Sequence, residues 1–211
     1  MDEEETELLA LRQAGLSEPT SESQWYTGLS SEVTFSYKDD LDNPRQGYQW
    51  SAGLDLNLGV RNAPDPYATL ASSLTLYLSL PTERQFTLAL RVGGAHNVGT
   101  FPYYDANTLG GKVNLRGFRS TRFSGRSSLY TNAELRMALF SLKSNILPGR
   151  LGVLGFLDHG RVWTDEESSG TWHQGYGAGL WYNAVDQFIL WFTAGQSVEG
   201  THILGGVGFF F

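Results

Sequence analysis

From residue 47 onward the chain alternates apolar and polar positions with a period of two. Residues 47–60 (GYQWSAGLDLNLGV) put Tyr48, Trp50, Ala52, Leu54, Leu56, Leu58 and Val60 on one face. Gln49, Ser51, Gly53, Asp55, Asn57 and Gly59 fall on the other, as they do in a strand whose successive side chains point to opposite sides. The same rhythm recurs at 69–80, 85–97, 127–139, 150–163, 172–184, 187–198 and 201–211. Most of these segments run about 11–14 residues. Strands of soluble domains average about 5–6 residues, whereas a tilted membrane-spanning strand needs about 9–11. Short turns at 81–84, 142–149 and 184–187 alternate with longer polar loops at 61–67, 98–126 and 164–171. Short connections at one rim and long ones at the other are the pattern of an outer-membrane barrel.

The pattern therefore predicts an all-β fold, a transmembrane antiparallel β-barrel of eight strands over residues 47–211. Residues 24–37 (QWYTGLSSEVTFSY) also alternate and make a ninth plausible strand. A closed antiparallel barrel with both ends on one side needs an even number, so three readings stay open. The chain is the C-terminal half of a larger barrel, or 24–37 does not span, or the first and last strands pair in parallel. The eight-strand reading takes 24–211 as the barrel unit. Residues 1–23 are then an acidic extension that could hold a short helix at 3–14, where Leu8, Leu9 and Leu11 share a face.

Composition sharpens this reading. The polar faces carry Gly, Ser and Thr with isolated charges, where a water-facing sheet would carry more Lys and Glu, which argues against a soluble sandwich or lipocalin-like barrel. Trp25, Tyr48, Trp50, Trp163, Trp172, Tyr176 and Tyr182 lie near strand ends, where an interfacial aromatic belt belongs. A net charge of −7 gives no footprint for nucleic acid. Cysteine is absent, so neither disulfides nor thiolate chemistry are available. His96, His159, His173 and His202 stand apart without metal-ligand spacing. Asp39, Asp40 and Asp42 read as a turn cluster, because the glycine and terminal glutamate of a calcium loop are missing. No catalytic residue, metal or cofactor is indicated.

One stretch breaks the alternation. VNLRGFRSTRFSG (113–125) is a glycine-punctuated loop with Arg116, Arg119 and Arg122 at three-residue intervals. Its LRGFR core, Leu115, Arg116, Gly117, Phe118 and Arg119, resembles the arginine-loop motif of the BamA/TamA and two-partner secretion superfamily. GFLDHGRVW (155–163), YTNAELRMAL (130–139) and DLDNPRQG (40–47) resemble two strands and a turn of the same superfamily, in the same order. The terminal GVGFFF, with Phe209 and Phe211, resembles an outer-membrane C-terminal recognition signal. The likeness covers about residues 24–211 and implies a short member without periplasmic POTRA domains, or a C-terminal barrel fragment. It further implies that the loop folds back into the lumen. Alternation places Glu134 and Asp158 on the inward faces of neighbouring strands, where the resemblance makes them partners of Arg116. Arg119 and Arg122 read as surface charges near anionic headgroups.

The resemblance implies an integral protein of the bacterial outer membrane that assists insertion or translocation of unfolded outer-membrane proteins without catalysis. Its partners would be the lipid bilayer and such clients, and a homo-oligomer is compatible. Gly205, Gly206 and Gly208 suggest either a soft seam at the last strand or relief of crowding in a narrow lumen. The competing reading is a passive structural barrel or small channel, with Tyr77, Phe156, Trp181, Trp191 and Phe210 filling the inside.

Overall fold

The fold is that of a computed structural model describing residues 23–62, 65–80, 86–143, 148–164, 170–185 and 188–211. The acidic extension and its helix at 3–14 lie outside the described residues. Nine long strands make one antiparallel sheet: β1 (Trp25–Lys38), β2 (Gly47–Arg61), β3 (Tyr67–Leu80), β4 (Phe86–Val98), β7 (Ser127–Leu142), β8 (Gly149–Trp163), β9 (His173–Ala184), β10 (Phe188–Ser197) and β11 (Gly200–Val207). Each pairs with its neighbours in chain order. The long β4–β7 connection carries its own structure, which alternation did not reveal. It contains a 3-10 turn at Tyr103–Asp105, a small hairpin of β5 (Asn107–Leu109) and β6 (Phe123–Gly125), and between them a one-turn helix α1 (Gly111–Asn114).

The expected count of eight is corrected to nine. Residues 25–38 are a full strand of the sheet, in register with β2 from Tyr26↔Gly59 to Lys38↔Gly47. Cross-strand aromatic pairs strengthen that register. The Phe35 ring stacks on Trp50 with centroids 5.7 Å apart, and Tyr37 meets Tyr48 at 6.2 Å. Alternation at 24–37 was thus a true strand signal, which parity alone had argued against. With nine antiparallel strands, β1 and β11 run in the same direction. That excludes an antiparallel bond between them, and among the described residues the sheet is not closed, each of these two strands pairing on one side only.

A second correction concerns the last segment. Its strand ends at Val207 rather than running to 211. Gly208 takes φ +77°, which glycine adopts without a Cβ clash, and its N–H donates to the Ile189 carbonyl at 2.8 Å. Phe209, Phe210 and Phe211 then leave the sheet and tuck beneath its inner face.

The two faces separate as a membrane protein requires. Leu29, Phe35, Leu58, Phe192 and Ile203 are exposed on the outer face, where lipid would cover them. Inside, Leu154, Phe156, Trp181, Ile189 and Trp191 form a cluster against Leu204 and Phe209. Gly206 sits against it, and a Cβ there would lie 2.8 Å from the Trp191 ring. Gly205 lies on the opposite face, where a Cβ would stand 2.9 Å from the exposed Phe192 ring. A second cluster of Leu109, Leu115 and Phe118 packs on Tyr130 and Val162 and fastens the long loop to the wall.

Candidate functional site: an arginine loop locked in the lumen

Sheet register explains why distant residues meet. Across β4, β7 and β8 the lumenal rungs read Arg91↔Asn132↔Asp158, then Ala89↔Glu134↔Phe156, then Thr87↔Arg136↔Leu154. Two carboxylates on adjacent rungs repel unless a cation lies between them. The long loop supplies one. Arg116 is fully buried, as are Asp158 and Glu134 at 0% and 1% exposure. Arg116 Nε donates to Asp158 Oδ2 at 2.8 Å and Nη2 to Oδ1 at 2.9 Å, a bidentate pair. Its backbone N–H also donates to Asp158 Oδ2, at 3.0 Å, and Nη1 donates to Glu134. The guanidinium is sandwiched between Phe156, 3.8 Å from the ring centroid, and Phe210, 4.0 Å away.

The flanking residues fit the loop to the wall. Gly117 takes φ +93°, and Ser197 Oγ donates to its carbonyl at 2.6 Å. On β9, a Cβ at Gly175 would stand 1.8 Å from the Arg116 carbonyl oxygen, so only glycine admits the loop there. Leu115 and Phe118 are buried at 0% and 1% exposure, and Phe118 meets Phe123 edge-on at 5.1 Å. Asn132 Nδ2 donates to the Asn114 carbonyl at 2.8 Å, tying α1 to β7. Arg122 pairs with Glu199 on the β10–β11 turn at 2.7 Å, so it grips that turn rather than lipid headgroups; Arg119 is exposed.

Several participants carried no signal in the sequence. Arg136 is buried and donates from Nε to Glu134 at 2.7 Å and from Nη2 to the Phe211 carbonyl at 2.9 Å. Ser197 and Gly175 look like any strand residue until the loop lies on them. Phe209 covers the Arg136 guanidinium at 3.6 Å and meets Trp181 edge-on at 5.7 Å, so it packs within the lumen. Phe211 also faces the arginines.

The β1–β3 side of the lumen differs. It holds an open polar cavity of about 380 Å³ lined by Ser30, Glu32, Ser51, Asp55, Ser73 and Asn107. On the turn after β1, the DLDNPRQG segment is built from its acids. Asp39 accepts from the Arg45 and Gln46 backbone N–H groups at 2.8 and 3.0 Å, and Asp40 from those of Asp42 and Asn43 at 2.9 Å each. Burial opposes ionisation of Asp39, but those N–H groups and the nearby Arg45 charge hold its carboxyl below the usual range.

A long-stranded antiparallel sheet with an apolar outer face and an arginine loop locked inside defines a class: β proteins of the outer membrane. The model of the Omp85 superfamily domain matches residues 3–184, and the chain belongs to that superfamily. It is an integral β-sheet protein of the outer membrane. Among solved structures, the crystal structure of BamA from Haemophilus ducreyi lacking POTRA domains 1–3 matches with a TM-score of 0.67 at 16% identity. The match covers 85% of this chain and 42% of that one. No curated protein matches the chain.

Proposed function

We propose that this protein assists the insertion or translocation of unfolded outer-membrane proteins by offering sheet edges, without catalysis. The barrel unit spans 24–211, Leu115–Phe118 is its lumenal loop motif, and Glu134 and Asp158 are the partners that hold Arg116. The observation that supports this reading is that β1 and β11, among the described residues, each pair on one side only, beside a locked plug. An unpaired edge is a template for another strand, and strand addition is an established mode of peptide recognition. The β1 edge is long and contains no proline. Because β1 and β11 run the same way, one client strand of opposite direction would pair antiparallel with either edge. The plug packs against β7–β10, whereas among the described residues most of β1 is exposed.

The test is folding of a second, unrelated barrel protein into liposomes with and without this protein. Acceleration supports the proposal. The same rate with and without it contradicts the proposal. The polar cavity beside Glu32 and Asp55 favours a second reading, a small channel, which predicts single-channel conductance without any effect on folding.

A further inference from the structure

Three guanidinium groups, Arg91, Arg116 and Arg136, converge in the lumen, and among the described residues the carboxylate side chains bonded to them are Glu134 and Asp158, while Arg136 also donates to the Phe211 main-chain oxygen at 2.9 Å. Arg91 bonds instead to neutral oxygens, donating from Nε to Asn132 Oδ1 at 2.9 Å and from Nη2 to the Val113 carbonyl at 2.7 Å. Like charges packed together in a dry interior need a further source of negative potential. The tail supplies it through the Phe211 main-chain oxygen and through the ring faces of its three consecutive phenylalanines. Arg116 lies 4.0 Å from the Phe210 centroid, Arg136 3.6 Å from Phe209, and Arg91 4.9 and 4.7 Å from Phe210 and Phe211.

We infer that residues 208–211 form a latch under the loop, in which Phe210 and Arg136 are positioning residues that hold Arg116 between Glu134 and Asp158. Phe156 is fixed on β8 and supplies one face of Arg116; Phe210 supplies the other and is attached only through Gly208. That glycine turns the chain inward at φ +77°, and a Cβ there would meet nothing within 4 Å, so the turn is not enforced by packing. Arg136 links the two elements directly, holding Glu134 on one side and the Phe211 carbonyl on the other. The β10–β11 hairpin therefore grips the loop twice, from above through Ser197 and Glu199 and from below through the tail. Movement of β11 away from the sheet withdraws both grips together. The latch requires only this packing, whether or not client strands are handled at the edges.

Limited trypsin digestion of the folded protein in detergent tests the latch. The loop offers Lys112, Arg119 and Arg122, and the β1–β2 turn offers Lys38 and Arg45 as an internal reference. Phe210→Ala is expected to raise the loop cleavage rate about tenfold, the scale of its lost cation–π contacts with Arg116 and Arg91, with the reference sites unchanged. Phe210→Tyr keeps the ring face and is expected to stay near wild type. Phe210→Leu keeps the bulk without the ring and is expected to behave as Phe210→Ala; it serves if the alanine variant does not fold. Wild-type loop protection in folded Phe210→Leu, or equal acceleration at the reference sites, overturns the latch.

Discussion

The lumenal faces of β1–β3 and of β7–β10 are cut from one sheet, yet they are filled in opposite ways. On β7–β10, glycines alternate with buried charges and large aromatics, and every gap is taken by the loop or the tail. On β1–β3 the inward residues Ser30, Glu32, Ser51, Gly53, Asp55 and Ser73 line an open cavity, while Thr75 and Tyr77 further along β3 are buried. A glycine thus means different things in the two halves. Gly175 is a docking surface for backbone, whereas a Cβ on Gly53 would meet its nearest neighbour, the Ser31 carbonyl, only at 3.8 Å. One half is a packed core and the other borders an open cavity.

The strongest way to break this contrast is to empty the packed half. Arg116→Ala leaves Asp158 buried without its cation, and stranding a buried charge costs about 3–5 kcal/mol. Heat-modifiable gel migration should shift to much lower temperature, and the loop should become open to protease. An unchanged melting profile would show that the buried pair does not hold the plug. The next largest effect sharpens the comparison with one chemistry in two places. Gly175→Ala forces a methyl into the Arg116 carbonyl and should cost about 1–3 kcal/mol, as overpacking does. Gly53→Ala should stay within about 0.5 kcal/mol. Equal effects by denaturant titration would erase the distinction between the halves.

The fold was legible where side-chain alternation is strict. Leu54, Leu56 and Leu58, or Phe188, Leu190 and Phe192, announce their outer face in any strand that meets lipid. Glu134 and Asp158 were legible for the same reason, since a carboxylate on the polar face of a membrane strand has only the lumen to enter. The strand count was not, because parity presumes closure and this sheet does not close. Nor was the tail. The alternation of Ile203, Gly205 and Val207 continues formally through Phe209, and nothing local to Gly208 says that the chain turns inward there. Arg136 was invisible as a partner because its second contact is a backbone carbonyl 75 residues away in sequence.

Smaller effects probe the rim. Glu199→Gln removes a partly exposed ion pair with Arg122, and such pairs contribute about 0–1 kcal/mol. Its effect should appear as faster exchange of amides in 119–125 with little change in melting temperature. The β1–β2 turn gives the mildest response. Asp39 has its carboxyl held below the usual value in the folded turn. Its contribution is therefore present above about pH 4, the ordinary aspartate range, and is lost as pH falls through the lower folded value. Amide exchange at 39–46, corrected for intrinsic pH dependence, should lose protection only below that point. Loss on raising the pH instead would contradict the assignment.

The central claim is that β1 is an edge open to another strand while β8, enclosed by β7 and β9, is not. The chain has no cysteine, so single cysteines can be placed cleanly. Ser31→Cys on β1 and Leu157→Cys on β8 should each be presented, in liposomes, with a folding barrel protein that carries one cysteine in its last strand. The account predicts disulfide capture at position 31 and none at 157. Equal capture at both positions, or none at 31 while the client folds faster, would contradict it.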